Sequence, residues 1–272
     1  MSLNHTLQEL REAFPSSDQK MPALFVGHGS PMNAIEDNEY SRTWAYMGRT
    51  LPKPNAILCI SAHWETRGTL VTGMEHPPTI HDFGGFPREL FEKQYPAPGS
   101  PALAQLTQQT VQSTNVCFDD QWGLDHGTWS ILAKMFPDAS IPVVQLSLDH
   151  TEGPAYHYAL GKELRALRNR GVLIIGSGNI VHSFRGIRMD GIAQDWAIEF
   201  DQTVKHLIED SDHTSIVEYQ RLGRAALLSV PTNEHYLPLL YALALQEQGE
   251  PVRFFNETVT LGSMSMRSVW IG

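Results

Sequence analysis

Three histidines stand where short apolar runs stop. His28 follows "ALFVG" in "GHGSP", His63 follows "AILCISA" in "SAHW", and His182 lies in "IIGSGNIVHSF", a few residues past "VLIIG". A fourth, His235, sits beside Glu234 in "PTNEHYLPLLY", at the opening turn of a C-terminal helix. A lone histidine is more often a cap or a satisfied core residue than a ligand, but that explanation is poor for four imidazoles delivered by separate segments. Their neighbours are small (Gly27, Gly29, Ser61, Ala62 and Gly176 to Gly178), which lets backbone and a bound group approach closely. Imidazoles with a carboxylate and no nearby thiolate suit zinc, iron, copper or nickel rather than magnesium or calcium. The pattern is therefore read as a mononuclear metal site. A fifth candidate is His126 in "WGLDHGTWSIL", where Asp125 reads as the N-cap of a helix and His126 could project into the same cleft. His81, in "PPTIHDFGGFP", lies in a loop with two phenylalanines and two glycines, readable as a lid over an aromatic ligand or as a surface turn. His5, His76, His150, His157, His206 and His213 read as surface or structural.

The elements that must carry these residues are set by periodicity. Residues 23 to 27, 56 to 61, 141 to 148 and 172 to 176 are short continuous apolar runs, as in strands buried on both faces. Between them, 100 to 113 and 156 to 170 have helical spacing of leucine and alanine, the second stopping at Gly171. "EHYLPLLYALALQEQG" reads as a helix closing at Gly249, and "VRFFNETVTLG" and "SMSMRSVWIG" as two late strands. "YPAPGSPA" is a rigid loop. Strands alternating with helices predict an α/β fold: a single domain over 1–272 with a central, mostly parallel sheet flanked by helices on both faces, residues 1–20 forming an N-terminal extension. In such sheets ligands bind beyond the carboxyl ends of the strands, which is where three of the histidines fall.

Composition narrows the function further. The 272 residues carry 20 basic and 30 acidic side chains, a formal charge of −10, which repels phosphate backbones and anionic lipid. Neither nucleic acid nor a membrane is an expected partner. The N-terminal residues lack the apolar segment of a secretory signal, and no apolar run approaches the roughly 20 residues of a membrane helix, so a soluble cytoplasmic protein is expected. The only cysteines, Cys59 and Cys117, imply no disulfide framework, and Cys59 reads as a buried small hydrophobe. "GSGN" at 176 to 179 is no dinucleotide fingerprint, and the chain has no phosphate-binding G-x-x-x-x-G-K-[ST] loop, no G-x-S-x-G elbow and no H-E-x-x-H. Ser30 beside His28 makes a weak dyad, because adjacent turn residues rarely face each other.

Taken together, "GHGSP", "SAHW", "HDFGGFP", "YPAPGSP", "DHGTW", "SGNIVH" and "PTNEHYLPLLYALA" resemble the class III (LigB-like) extradiol ring-cleavage dioxygenases, in particular their 4,5-DOPA extradiol dioxygenase branch. These motifs span residues 27 to 241 in the family's order. The resemblance implies that His28, His63 and His235 are metal ligands and that His182 lies beside the metal, as acid/base catalyst or fourth ligand. It implies that His126 contacts the bound catechol or oxygen. Related protocatechuate-type enzymes complete their ligand set with a glutamate; here the matching residue is His235, with Glu234 beside it.

The implied reaction is cleavage of a catechol by O2 at Fe(II), most simply 4,5-cleavage of L-DOPA to 4,5-seco-DOPA, an aldehyde that cyclises to betalamic acid. Fe(II) is the expected metal for activity, while an all-histidine set also suits Zn(II), the expected metal in purified protein. The expected partners are the small catechol and O2, and the chain is expected to be a monomer. Two alternatives stay open: a Zn-dependent hydrolase using the same histidines, and a non-enzymatic binding protein, since the fold family also contains Memo-type proteins regarded mainly as interaction partners. Arg185 and Arg188, after His182, read either as partners for a substrate carboxylate or as solvated charges.

Overall fold

The unbroken apolar runs are strands covered on both sides. In β1 (Ala23–Gly27), Leu24 and Val26 join one core cluster with Trp44 and Trp129, while Ala23 and Phe25 join another with Phe200 and Leu240. The same alternation repeats in β2 (Ala56–Thr66), where Ile57 and Cys59 face the first cluster and Leu58 and Ile60 the second. Successive strand side chains point to opposite faces, so two buried faces demand apolar residues at every position.

The computed structural model describes residues 12–16 and 19–272. The remaining strands are β3 (Thr69–Thr72), β4 (Val116–Asp119), β5 (Val143–Asp149), β6 (Val172–Gly178), β7 (Val252–Phe255), β8 (Val259–Thr260), β9 (Met264–Ser265) and β10 (Ser268–Ile271). Among the described residues eight of the ten strands form one sheet in the order β4-β3-β5-β2-β6-β1-β10-β7, and β8 pairs with β9 separately. The centre is parallel: β6 pairs parallel with both β1 and β2, and β2 parallel with β5. Antiparallel pairs enter at β3–β5, β1–β10 and β10–β7. The expected α/β domain with a mostly parallel sheet and helices on both faces is the fold observed. Where two late strands are expected the chain makes four short ones: the first run is broken at Asn256, which has positive φ, and the second at Met266 and Arg267, between β9 and β10.

The helices keep their predicted places with shorter bounds. Pro101–Thr110 starts on Ser100, whose side chain caps the Leu103 amide. Pro154–Glu163 runs into a 3-10 turn, Leu164–Arg170, that stops at Gly171 with φ 71°. The C-terminal helix, Leu237–Ala244, ends before Gly249 because Arg165 and Arg168 hold the carbonyls of Ala244 and Leu245 at 2.7 and 2.8 Å. Arg168 is fully buried and also forks onto Glu250, at 2.8 Å from each oxygen. Of the N-terminal extension, residues 1–11 and 17–18 lie outside the described residues; Phe14 is buried, and its carbonyl accepts a 2.8 Å bond from Arg170. Among the described residues no helix is long and apolar enough to cross a membrane.

Helices Pro154–Glu163 and Leu237–Ala244 touch through His157 and Tyr241, whose Nδ1 and hydroxyl lie 3.0 Å apart with both residues fully buried. Burial lowers the His157 pKa from 6.5 to about 4, against a smaller upward pull from Asp149. A folded-state pKa below the unfolded one means that the unfolded chain binds the proton first. The stability conferred by neutral His157 is whole above pH 6.5 and drains away as pH falls to about 4. Urea unfolding from pH 7 to 4 should therefore show a decline in the wild type that is shallower in His157→Gln by up to about 3 kcal/mol at the acid end.

Candidate metal centre

Five imidazoles meet at the carboxyl edge of β1, β2 and β6. The rings of His28 and His63 have centroids 5.0 Å apart, and His235 lies 5.3 and 5.0 Å from them. His126 is 3.9 Å from His63, and His182 stacks on His235 at 3.5 Å with their planes 4° apart. Nitrogens of His28, His63 and His126 fall within 4.8 Å of one another, as do ligand atoms of His182, Glu234 and His235. His76, His81, His150, His157, His206 and His213 stand outside both groups, and His5 lies outside the described residues.

Each ring is placed by local backbone chemistry. His28 is carried past the end of β1 by its amide, which donates to the Gly178 carbonyl at 3.1 Å, and Gly29 turns the chain away at φ 59°. His63 sits where the pairing of β2 with β5 jumps from Ile60 to Glu65, an irregularity of the kind that re-aims a side chain. His235 is drawn onto β6 by a 2.8 Å bond from the Asn179 amide to its carbonyl; a Cβ on Gly178 would overlap that oxygen. His182 donates its amide to the Ser229 carbonyl at 2.9 Å and bridges to Met264. Phe184, largely exposed, meets its ring edge-on at 5.0 Å.

His126 opens the helix His126–Met135, and Asp125 is its N-cap, accepting from the Thr128 amide. The fully buried Asp125 carboxylate also accepts from Ser61 and Gln145, each at 2.7 Å. Burial, with the neighbouring Asp82 next in size, raises its pKa despite those bonds. The cap and the histidine therefore serve one site, and Gly127 leaves them room: a Cβ there would stand 2.5 Å from Ser61 Oγ.

The polar partners decide what the cluster can hold. Ser177 Oγ donates its only hydrogen to the Gly127 carbonyl at 2.5 Å, so it accepts from His28 Nδ1–H at 3.0 Å. His28 Nε2 is thereby left as a lone pair. Glu234 takes His235 Nδ1–H at 3.1 Å and frees Nε2 of that ring in the same way. His28 Nε2 faces His63 Nε2 at 3.1 Å, close enough for the two to share a proton or to flank a cation. Burial is the main reason that His28, His63 and His235 are pushed below the ordinary imidazole range, with neighbouring histidines reinforcing it. Rings kept neutral, buried and anchored through Nδ1 are the state in which imidazole ligates a metal, so the residues fit a borderline divalent cation.

Two contributors carry no signal in the sequence. Ser177 lies inside "GSGN", which matches no nucleotide-binding fingerprint, and Asp82 stands next to the more conspicuous His81. Asp82 Oδ2 stands 3.3 Å from His63 Nδ1 and 3.0 Å from His126 Nδ1. His81 instead turns away to the Lys93 carbonyl at 2.8 Å.

The chain matches the family described as the catalytic LigB subunit of aromatic ring-opening dioxygenase over residues 22–265. It is 49% identical over 262 residues to a 4,5-DOPA dioxygenase extradiol of Escherichia coli (strain K12), covering 94% of this chain and 96% of that one. It is 37% identical to a protein of the same name from Beta vulgaris, covering 93% and 97%. A crystal structure of an uncharacterized Escherichia coli K12 protein superposes with a TM-score of 0.82 at 45% identity, covering 93% of this chain and all of that one.

Because Ser177 fixes the His28 tautomer, Ser177→Ala should weaken Zn(II) binding about ten-fold in a competition titration with a chromophoric chelator. The same change should lower unfolding free energy by only about 1 kcal/mol.

Proposed function

Because the chain belongs to the LigB family of aromatic ring-opening dioxygenases and is an extradiol dioxygenase, we propose that it uses Fe(II) to cleave a catechol with O2, with L-DOPA as substrate and 4,5-seco-DOPA as product. The observation that carries this reading is the 3.1 Å approach of His28 Nε2 to His63 Nε2, with the His28 tautomer already set by Ser177. The substrate comes from the names of the relatives at 49% and 37% identity.

His28, His63 and His235 would hold the metal. When bound, Fe(II) offers open positions at which a catechol and O2 come together, removing the entropic barrier to their encounter. His182 lies alongside, stacked on His235 and meeting the exposed Phe184 edge-on. Burial lowers its pKa to about 4, with Glu234 pulling the other way, so it is neutral at pH 7. A neutral imidazole next to the substrate can take a catechol hydroxyl proton and later return it to the ring-opened product. His126, buried against Phe83 at 5.5 Å, can donate a hydrogen bond to negative charge on oxygen when its Nε2 carries a proton. An all-histidine set accepts Zn(II) as readily, so purified protein is expected to carry zinc without turning over. The protein is proposed to act as a cytoplasmic monomer with no nucleic-acid or membrane partner. The net charge of −10 supports the last point, and two unpaired cysteines suit a reducing compartment.

The test is anaerobic reconstitution of metal-free protein with Fe(II) or Zn(II), then L-DOPA and air, with O2 uptake and yellow product monitored together. Uptake with colour is expected in the Fe(II) sample alone; none with either metal across several catechols would overturn the proposal, and turnover with zinc without O2 would favour a hydrolase. In the same assay His182→Ala should lose turnover by about 100-fold or more while keeping its metal. His28→Ala and His63→Ala should lose the metal itself, measurable by elemental analysis.

A further inference from the structure

The loop that carries Asp82 is pinned by bonds that do not involve Asp82. The Ile80 amide donates to the Leu124 carbonyl at 2.7 Å, Trp129 Nε1 donates to the Ile80 carbonyl at 2.8 Å, and His81 reaches the Lys93 carbonyl. Phe83 packs edge-on or tilted against His126, Phe86, Phe91 and Trp129, with centroids 5.1 to 6.2 Å away. Asp82 is thereby presented to the site on a fixed mount. Its Oδ1 accepts the backbone amide of His126 at 2.9 Å, and its Oδ2 lies 3.0 Å from His126 Nδ1 and 3.3 Å from His63 Nδ1. His126 Nδ1 is buried and has no aligned hydrogen-bond partner, so the carboxylate oxygen beside it is the acceptor that a small ring rotation would engage.

We propose that Asp82 is a positioning residue shared by two imidazoles, its one oxygen Oδ2 holding both His63 and His126 in the Nδ1–H form. This rests on the metal-dependent reading above and adds a residue to it. Ser177 has already made His28 Nε2 a lone pair; Asp82 does the same for His63 Nε2, so no proton remains for the pair to share and the position between them is left to a cation. On His126 the same contact leaves Nε2 as a lone pair in the metal-free protein, so that ring must gain a proton at Nε2 before it can donate there. A single carboxylate would thus couple the geometry of a ligand to that of the ring beside the substrate.

Asp82→Asn is the discriminating variant. If the amide oxygen keeps the His126 backbone bond, its NH2 group faces two Nδ1–H groups, and the rings are driven to the Nε2–H form. In long-range proton–nitrogen NMR spectra of metal-free, 15N-histidine-labelled protein, His63 and His126 should be Nδ1–H in the wild type and Nε2–H in Asp82→Asn. The Zn(II) dissociation constant, read by chelator competition, should rise about ten- to a hundred-fold in Asp82→Asn. Asp82→Glu, which keeps the charge, should recover part of both signals, and Asp82→Ala, which removes the acceptor, carries the test if the amide variant does not fold. Unchanged tautomers, or zinc binding within about two-fold of the wild type, would overturn the role of Asp82. A wild type that binds neither Zn(II) nor Fe(II) would instead overturn the metal-dependent reading, while the tautomer signals still decide on Asp82.

Discussion

Two imidazole nitrogens at 3.1 Å are spaced either to share a proton or to flank a cation, and the surroundings of His28 and His63 decide between the two. The proton is made scarce from two directions. Burial and mutual repulsion push both rings below the ordinary imidazole range, and Ser177 takes the Nδ1–H of His28 so that Nε2 carries only a lone pair. Ser177 can act only as acceptor here because its own hydrogen is committed to the Gly127 carbonyl, which belongs to the helix that His126 begins. One serine in β6 therefore ties the tautomer of a histidine after β1 to the position of a helix after Asp125.

Crowding so many rings requires backbone to come close, and the glycines near the cluster mark where it does. Gly178 and Gly127 stand where a Cβ would strike the His235 carbonyl or the Ser61 hydroxyl. Each brings a histidine-bearing segment onto a strand already fixed in the sheet. The sheet can supply that rigidity because its central strands are buried on both faces, and interiors at this density resist displacement. The edge of such a sheet is consequently a place where polar groups can be held to within a few tenths of an ångström.

Charge is handled differently away from the site. Arg168 with Glu250, and Arg267 with Asp201, are buried pairs that tie the C-terminal strands to the body of the fold. Their full charges are matched by opposite charges and carbonyl oxygens, as burial demands. Within the histidine cluster the rings are instead kept neutral, with carboxylates at the periphery: Glu234 behind His235, and Asp82 behind His63 and His126. That arrangement leaves the centre without fixed charge and suited to a divalent cation that brings its own.

The sequence by itself determined the strands that carry the site and most of the histidines that form it. Runs such as "ALFVG" and "VLIIG" read as strands covered on both faces, and a parallel sheet delivers the residues just beyond each of them to one edge. His28, His63 and His182 were legible from that rule, His235 from the opening turn of the C-terminal helix beside Glu234, and Asp125 from the helix it caps. The short strands β3 and β4 were not, because four residues in each leave little periodicity to read. Ser177 and Asp82 were invisible for a different reason: a hydroxyl or carboxylate becomes a tautomer-setting partner only when a distant ring is brought to it. Ser177 meets a ring 149 positions away, and Asp82 meets two on separate elements. Residue type and spacing reveal which groups can ligate; which nitrogen of each ring is free to do so depends on contacts that exist only after the chain has folded.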